Sequence, residues 1–449
     1  MSLSNRHATK PLAGVRAISA VDLLRGWRDR NPQIRNIVMF VSDALRWDYT
    51  PESILSQGTA FKTVASGSMT AISFPSILTG LYPSRLGVFS FTGASLRTST
   101  PSLLNLPGYN SSLWTENTWV EYDPPNSAPL YRILNEKRRV SLKEIEPPFV
   151  YLEDEKGGHC PYGWSPGNPD YEEWDCAKFF RDSAKKGVEF LKEKYHEGVA
   201  RTAREFEKRM KIIRDRGLED STLVIFLSDH GESLGEHGGI VGHEIMASEL
   251  TYVPVVLMHP DLPKGRLYDR EGVLRHVDLY PTLKGILRCR DQTTVDGTNL
   301  LCSQNLPRIG YTYNVDGPVR KGPFDFRLIE IGVWDNTGGY IFREGLWSAG
   351  LPFWAAYKTL LGSHSNITIY QKERLRHSLL SLLSCAEAAK WCSNRCVKCG
   401  VPSFSKQQAV AFVHEFSLSE PHVLEARSTT AEEDDEKVKA RLRALGYWN

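Results

Sequence analysis

The chain has 449 residues, enough for two or three domains or for one large domain with an appendage. Its hydrophobic content of 41%, charged content of 24% and formal net charge of +2 are those of an ordinary globular protein, and the charge gives no argument for nucleic acid or acidic partners. No run approaches the ~18 apolar residues of a membrane span, and Met1 to Asp29 lacks the apolar core of a signal peptide, which together predict a soluble, cytoplasmic protein.

Residues up to about Pro32 read as a helical lead-in, with Val21, Leu23, Leu24 and Trp27 as its apolar stripe. Ile37 to Val41 is an unbroken apolar run ending in Ser42-Asp43, the pattern of a strand buried on both faces that finishes on a carboxylate. Gly67 to Gly80 is a hydroxyl-rich loop running into a short helix, with Gly80 as its stop and Leu81-Tyr82-Pro83 as the breaker. Pro101 to Leu106 reads as a helix and Ser112 to Thr115 as a return strand. Pro147 to Asp175 is rich in Gly, Pro and aromatics, the composition of an irregular insertion, a lid or substrate loop. Cys176 to Gly217 is helical and strongly charged. Leu223 to Leu227 is the second fully buried strand, and it breaks into Ser228-Asp229-His230-Gly231-Glu232.

Val253 to Met258 is a further strand, Val277 to Leu283 opens a helix, and Asp296-Gly297 marks a turn. Leu328 to Val333 and Gly339 to Phe342 suggest a smaller antiparallel piece, followed by a helix over Tyr370 to Trp391. Ala431 to Asp435 is acidic and solvated, and Lys437 to Leu445 closes as a short helix. Strand, helix and strand in alternation predict an α/β fold: a mostly parallel sheet flanked by helices, with a smaller C-terminal α+β piece. The expected division is a lead-in over 1–33, a catalytic core over 34–305, a smaller subdomain over 306–400 and a tail over 401–449.

Open α/β sheets hold their chemistry at the carboxyl ends of the strands. Two strands that end in carboxylates bring Asp43 and Asp229 to one edge, and His230 joins them as a borderline ligand, a set able to hold a divalent cation. The alternative for each is a capping or salt-bridging role. Of eight cysteines, Cys385, Cys392, Cys396 and Cys399 crowd together, whereas Cys160, Cys176, Cys289 and Cys302 are dispersed. The cluster is able to hold a structural zinc in a reducing compartment, but with a single C-x-x-C free or disulfide-paired thiols stay open. It is expected away from the active site, with an effect on stability only.

The chain resembles the sulfatase branch of the alkaline phosphatase superfamily. The matching stretches, in order, are Val41 to Asp48, Thr70 through Thr79-Gly80-Leu81-Tyr82-Pro83, Ser228-Asp229-His230-Gly231-Glu232 with Gly235-Glu236-His237-Gly238, then Gly242-His243, Val253-Pro254, Val277-Asp278 with Pro281-Thr282, and Arg443 to Tyr447. The resemblance implies an alkaline phosphatase-like core and a metal-dependent hydrolase of sulfate or phosphate esters. It implies one divalent ion (Ca, Zn or Mn) held by Asp43, Thr70, Asp229 and His230. In that family the nucleophile lies nine residues before the Thr of Thr-Gly, which here is Thr70; its other reading is a helix cap. His237 and His243 are implied to contact the ester oxygens or protonate the leaving group, or else are surface loop histidines. Arg46 and His276 are candidates for added positive charge.

Two departures matter. The Cys or Ser of the C/S-x-P-x-R segment is absent, since Ile72 and Phe74 stand at the Pro and Arg offsets, and Ala44 replaces the second Asp of the usual pair. Formylglycine is therefore not expected. The departures resemble relatives with an unmodified Thr, phosphodiesterases and phosphoethanolamine transferases. The expected substrate is a small-molecule, glycan or lipid sulfate or phosphate ester. The runners-up are a phosphodiesterase or phosphotransferase of the same superfamily and a catalytically silent binding protein.

Overall fold

The strands, in chain order, are β1 Arg16–Ile18, β2 Asn36–Ser42, β3 Thr59–Val64, β4 Asn110–Trp114, β5 Phe149–Glu155, β6 Thr222–Leu227, β7 Ser233–Leu234, β8 Val241–Gly242, β9 Tyr252–Met258, β10 Gly265–Asp269, β11 Leu274–Arg275, β12 Gly310–Asp316, β13 Leu328–Trp334, β14 Gly338–Glu344 and β15 Cys396–Gly400. The structure is a computed structural model. It describes residues 16–89, 95–115, 129–134, 139–165, 167–172, 175–183, 186–243, 245–289, 293–302, 308–316, 328–345, 347–361 and 375–418. The acidic stretch Ala431 to Asp435, the closing helix Lys437 to Leu445 and the Arg443 to Tyr447 match lie outside the described residues.

The large sheet runs in the order β1-β10-β3-β9-β6-β2-β5-β4, with β11 beside β3. At its centre β2 is parallel to β6 on one side and to β5 on the other. The sheet is mostly parallel, but β9 runs antiparallel to both β6 and β3. Every residue of β2 and β6 is buried, which is why both read as unbroken apolar runs. Side chains alternate between the faces. Val38, Phe40, Val224 and Phe226 meet Tyr195, Val199 and Phe206 of the long helix Val188–Asp215. Phe206 lies edge-on to Phe40 and Phe226, with ring centroids 5.3 and 5.1 Å away. On the other face Ile37, Met39, Val41 and Ile225 meet Phe74, Ile77 and Leu78 of the helix Thr70–Thr79 and Leu279 and Leu283 of the helix Leu279–Ile286.

Three readings need correction. The stretch read as an irregular insertion contains β5, a fully buried strand beside β2. Pro101 to Leu106 forms only a short 3-10 turn at Leu103–Asn105. The lead-in contains the helix Ala20–Arg30 but also β1, which pairs with β10.

The small antiparallel sheet, β12-β13-β14-β15, meets the large one at the loop before Thr70. The Ser68 amide donates to the Tyr313 carbonyl at 3.0 Å, and the Tyr313 amide donates to the Ser66 carbonyl at 3.0 Å. Among the described residues no helix is long and apolar enough to cross a membrane.

Candidate active site

Register brings the two acids together. Val41 of β2 pairs with Leu227 of β6, and each chain runs two residues further, to Asp43 and Asp229. Both side chains are buried. The Asp229 Oδ1 accepts from the Ala44 amide at 3.2 Å and from the His230 amide at 2.9 Å. Its Oδ2 and the Asp43 Oδ1 have no hydrogen-bond partner among the described residues. The Nε2 of His230 lies 3.5 Å from that Asp43 oxygen and 3.6 Å from that Asp229 oxygen.

The protonation of His230 follows from its other nitrogen. Nδ1 sits 2.7 Å from the Gly231 carbonyl, which only accepts, so we assign the proton to Nδ1 and a lone pair to Nε2. Burial lowers the pKa of His230 and keeps the ring neutral. Burial, then the charges of Asp229 and Asp154, raise Asp43 well above the usual carboxylate range. Two buried carboxylate oxygens left without partners are unfavourable on their own. With a neutral imidazole nitrogen beside them, all within 4.8 Å of one another, they form a donor set that fits a divalent cation.

Backbone shape sets Asp43. Ala44 has φ +56, so the chain turns sharply after the acid. Gly157 folds over it with φ +53; a Cβ there stands 2.4 Å from Ser42 Oγ and 2.6 Å from the Asp43 carbonyl oxygen. Only glycine allows that approach.

Thr70 is the first residue of its helix, and the preceding Met69 is extended with no side-chain cap bond. Thr70 is thus not the helix cap. Its Oγ1 lies 3.3 Å from His230 Nε2, at the positive end of a fully buried ten-residue helix. The helix is tied to the acidic strand by Ser73, whose Oγ donates to the Asp229 carbonyl at 2.5 Å. It ends, as read from the sequence, at Gly80, which has φ +71.

The remaining candidates divide. His243 is buried, with its ring 4.9 Å from that of His230 and 5.8 Å from that of His159. Burial, then His230 and His159, depress its pKa well below the usual value. His237 stands apart from the metal set: its Nε2 is 3.3 Å from Glu249 Oε2 and its ring stacks on Trp391 at 3.6 Å. Arg46 supplies no free charge. Its guanidinium is held by Asp48 at 2.9 and 2.7 Å and by Glu236, bracing the Asp43 turn against the β7–β8 hairpin. His276 is not a cation either, since burial lowers its pKa to about 3. Its Nδ1 accepts from the Ser66 amide at 3.4 Å.

Sequence reasoning missed two residues just beyond the end of β5. Lys156 is buried, donates to the Cys160 carbonyl at 2.9 Å and is close enough to Asp43 to offset part of its raised pKa. His159 is also buried, facing His243. The signal available was the run Phe149 to Leu152, hidden by the composition around it. Cys385 and Cys392 lie on the helix Leu375–Ser393 and Cys396 and Cys399 on β15; all four are free thiols, and among the described residues they join no three-ligand group.

The sulfatase family model matches residues 162–288. Over 419 residues the chain is 30% identical to the low-salt glycan biosynthesis sulfotransferase Agl7 of Haloferax volcanii, an alignment covering 92% of this chain and 96% of that protein. Among solved structures, the phosphonate monoester hydrolase of Agrobacterium radiobacter superposes with a TM-score of 0.53 at 16% identity, covering 70% of this chain and 89% of that one. A 2-O GAG sulfatase superposes with a TM-score of 0.52 at 14% identity, covering 86% and 90%. At such identities the likeness shows the fold: a mostly parallel sheet flanked by helices with a small antiparallel sheet.

Proposed function

Because the chain belongs to the sulfatase family of the alkaline phosphatase superfamily, a family of ester-hydrolysing enzymes, we propose that it splits a sulfate or phosphate ester through a covalent ester on Thr70. Asp43, Asp229 and His230 are the ligands of one divalent cation. The observation that carries this reading is that His230 Nε2 lies 3.3 Å from Thr70 Oγ1 and 3.5 and 3.6 Å from two buried carboxylate oxygens that have no hydrogen-bond partner among the described residues. When bound, a divalent cation there draws charge from the ester's non-bridging oxygen and acidifies the Thr70 hydroxyl.

In the first step a bond forms between Thr70 Oγ1 and sulfur or phosphorus as the bond to the leaving oxygen breaks, and the Thr70 proton ends on the released alcohol. A second hydroxyl then attacks the same sulfur or phosphorus, and its proton restores the Thr70 hydroxyl. His243, a neutral buried imidazole beside His230, has one nitrogen to give and one to accept, and is the group we assign to these transfers. The helix dipole favours the anionic group next to Thr70.

Threonine has a single oxygen on Cβ. Its ester is discharged only by attack on sulfur or phosphorus, never by elimination from a geminal diol. The accepting hydroxyl therefore decides the reaction: water gives a hydrolase. The Haloferax relative's name as a sulfotransferase favours a second reading, in which a glycan hydroxyl accepts.

The test is turnover of p-nitrophenyl sulfate, a phosphate monoester, a phosphodiester and a phosphonate with added divalent metals, with and without a sugar acceptor. Thr70→Ala should lower turnover by on the order of a million-fold, and Thr70→Ser should keep part of it. Near-parental turnover in Thr70→Ala, or a trapped group found by mass spectrometry on Ser68 or Ser73, would show the nucleophile to be misplaced.

A further inference from the structure

Asn314, Glu330 and Arg343 stand in one row across the small sheet: Asn314 pairs with Glu330 between β12 and β13, and Glu330 with Arg343 between β13 and β14. All three are buried. The Glu330 Oε1 receives Arg343 Nε at 2.6 Å. Its Oε2 receives Asn314 Nδ2 at 2.7 Å and the backbone amide of Met246 at 2.8 Å. The other donors of Arg343 go to backbone carbonyls, those of Trp391 at 2.6 Å, Asn394 at 3.0 Å and Met246 at 3.5 Å.

The ion pair thus grips Met246 by both its N–H and its carbonyl, three residues after His243. The same guanidinium holds the carbonyl of Trp391, whose ring stacks on His237 at 3.6 Å. The middle of the segment between His230 and His243, at His237, and the residue that closes it, at Met246, are therefore referred to one charge pair in another sheet. A buried ion pair gives little net stability, because desolvating both ions offsets their attraction, and apolar residues of similar volume pack as well. What this pair provides that apolar residues cannot is a fixed position for backbone polar groups.

We infer that Glu330 and Arg343 are positioning residues that act through His243. The inference rests on the proton-transfer role proposed above for His243. A 1 Å misplacement of a reacting group costs on the order of a hundredfold in rate, so release of Met246 should appear in kcat and not in substrate affinity.

The test uses the full chain with Mn²⁺ and p-nitrophenyl sulfate. Glu330→Gln alone strands a buried guanidinium and endangers folding. The double variant Glu330→Met with Arg343→Met leaves no orphan charge, keeps the core filled and removes the acceptor of the Met246 amide. Because the carbonyls of Trp391, Asn394 and Met246 lose their donor, it is expected to fold with a thermal midpoint lower by a few degrees, to keep its metal content and KM, to lose roughly tenfold to a hundredfold in kcat, and to exchange the Met246 amide faster. Placed on His243→Ala, it should cause no further loss, since the two act as one unit. Parental kcat in the folded double variant, or a loss that adds fully to that of His243→Ala, overturns the inference. If His243→Ala alone keeps its kcat, the role given to His243 fails, and amide exchange decides the clamp: lost protection at Met246 sustains it and unchanged protection refutes it.

Discussion

Asp229→Asn should make the metal-free protein more stable and the metal-loaded protein less so. Asparagine keeps the oxygen that accepts from the Ala44 and His230 amides, and sets an amide nitrogen where Asp229 has an oxygen without a partner. It also removes one of the charges that, after burial itself, hold Asp43 above the usual carboxylate range. Relieving an unsatisfied buried polar group is worth about 1–3 kcal/mol. The unfolding entropy, at about 2.1 cal/mol/K per residue, comes to about 0.9 kcal/mol/K over 449 residues. The metal-free variant should thus melt about 1–3 °C above the metal-free parent. In the parent, a cation at about a thousand times its Kd adds about 4.1 kcal/mol, or about 4–5 °C, and the variant forgoes that gain. The order of the two midpoints should therefore reverse between chelator and saturating metal. Differential scanning calorimetry in each condition, with metal analysis of the dialysed protein, makes the measurement. A variant whose midpoint climbs with metal as the parent's does, at unchanged stoichiometry, would refute the ligand assignment.

Two other groups near the sheet's edge give measurable outcomes. Lys62, with Nζ 3.9 Å from the centre of the Tyr252 ring, has its pKa lowered by burial from 10.5 to about 8. Its charge is a penalty below pH ~8 that is relieved as pH rises toward ~10.5, because the unfolded chain binds the extra proton in that window. At 1.36 kcal/mol per pH unit the penalty is about 3 kcal/mol, so Lys62→Met should raise the midpoint by about 3 °C at pH 7, with the gain shrinking to nothing near pH ~10.5; a gain that does not depend on pH would contradict this. Gly157→Ala should cost at least about 2 kcal/mol through its φ of +53 and the clash with Ser42 and Asp43, and weaken Mn²⁺ binding in titration calorimetry; parental affinity and midpoint together would show that the Asp43 turn tolerates a Cβ.

The proposed metal set was legible because its strands are buried on both faces. Such strands appear in sequence as unbroken apolar runs, so a polar residue at the run-out is conspicuous, and Asp43 and Asp229 were found that way. The strand β5 is equally buried, but it lies in a stretch whose Gly, Pro and aromatic residues read as a loop, and its apolar run is cut short by Glu153, Asp154 and Glu155. Acids of this strand are matched from the long helix: Arg209 Nε reaches Glu153 at 2.9 Å, and Arg201 reaches Glu155 at 2.8 Å. That compensation is tertiary and leaves no local trace, and with β5 went Lys156 and His159. The misjudged charges have the same origin. Arg46 and His276 were read as cations by residue type, whereas the partners of one and the burial of the other decide what each can offer. His237 sits in a segment that the resemblance implies to be catalytic, but the Trp391 ring it stacks on comes from a distant helix.

The small sheet reaches the same site from two directions. Through β12 it bonds the backbone of Ser66 and Ser68, and Thr312 Oγ1 donates to the Ala65 carbonyl at 2.7 Å, so the loop that presents Thr70 completes its hydrogen bonds on this sheet. Through Glu330 and Arg343 it holds Met246 and with it the approach to His243. The large sheet alone supplies Asp43, Asp229 and His230, which is enough to hold a cation. The loops that carry Thr70 and His243 depend on the small sheet, because their buried amides and carbonyls must be paired and find partners there. On the reading proposed above, ligand binding and catalytic alignment fall to different sheets. Variants of the large-sheet acids should therefore lose metal and turnover together, and variants of the Glu330 row should lose turnover while keeping metal.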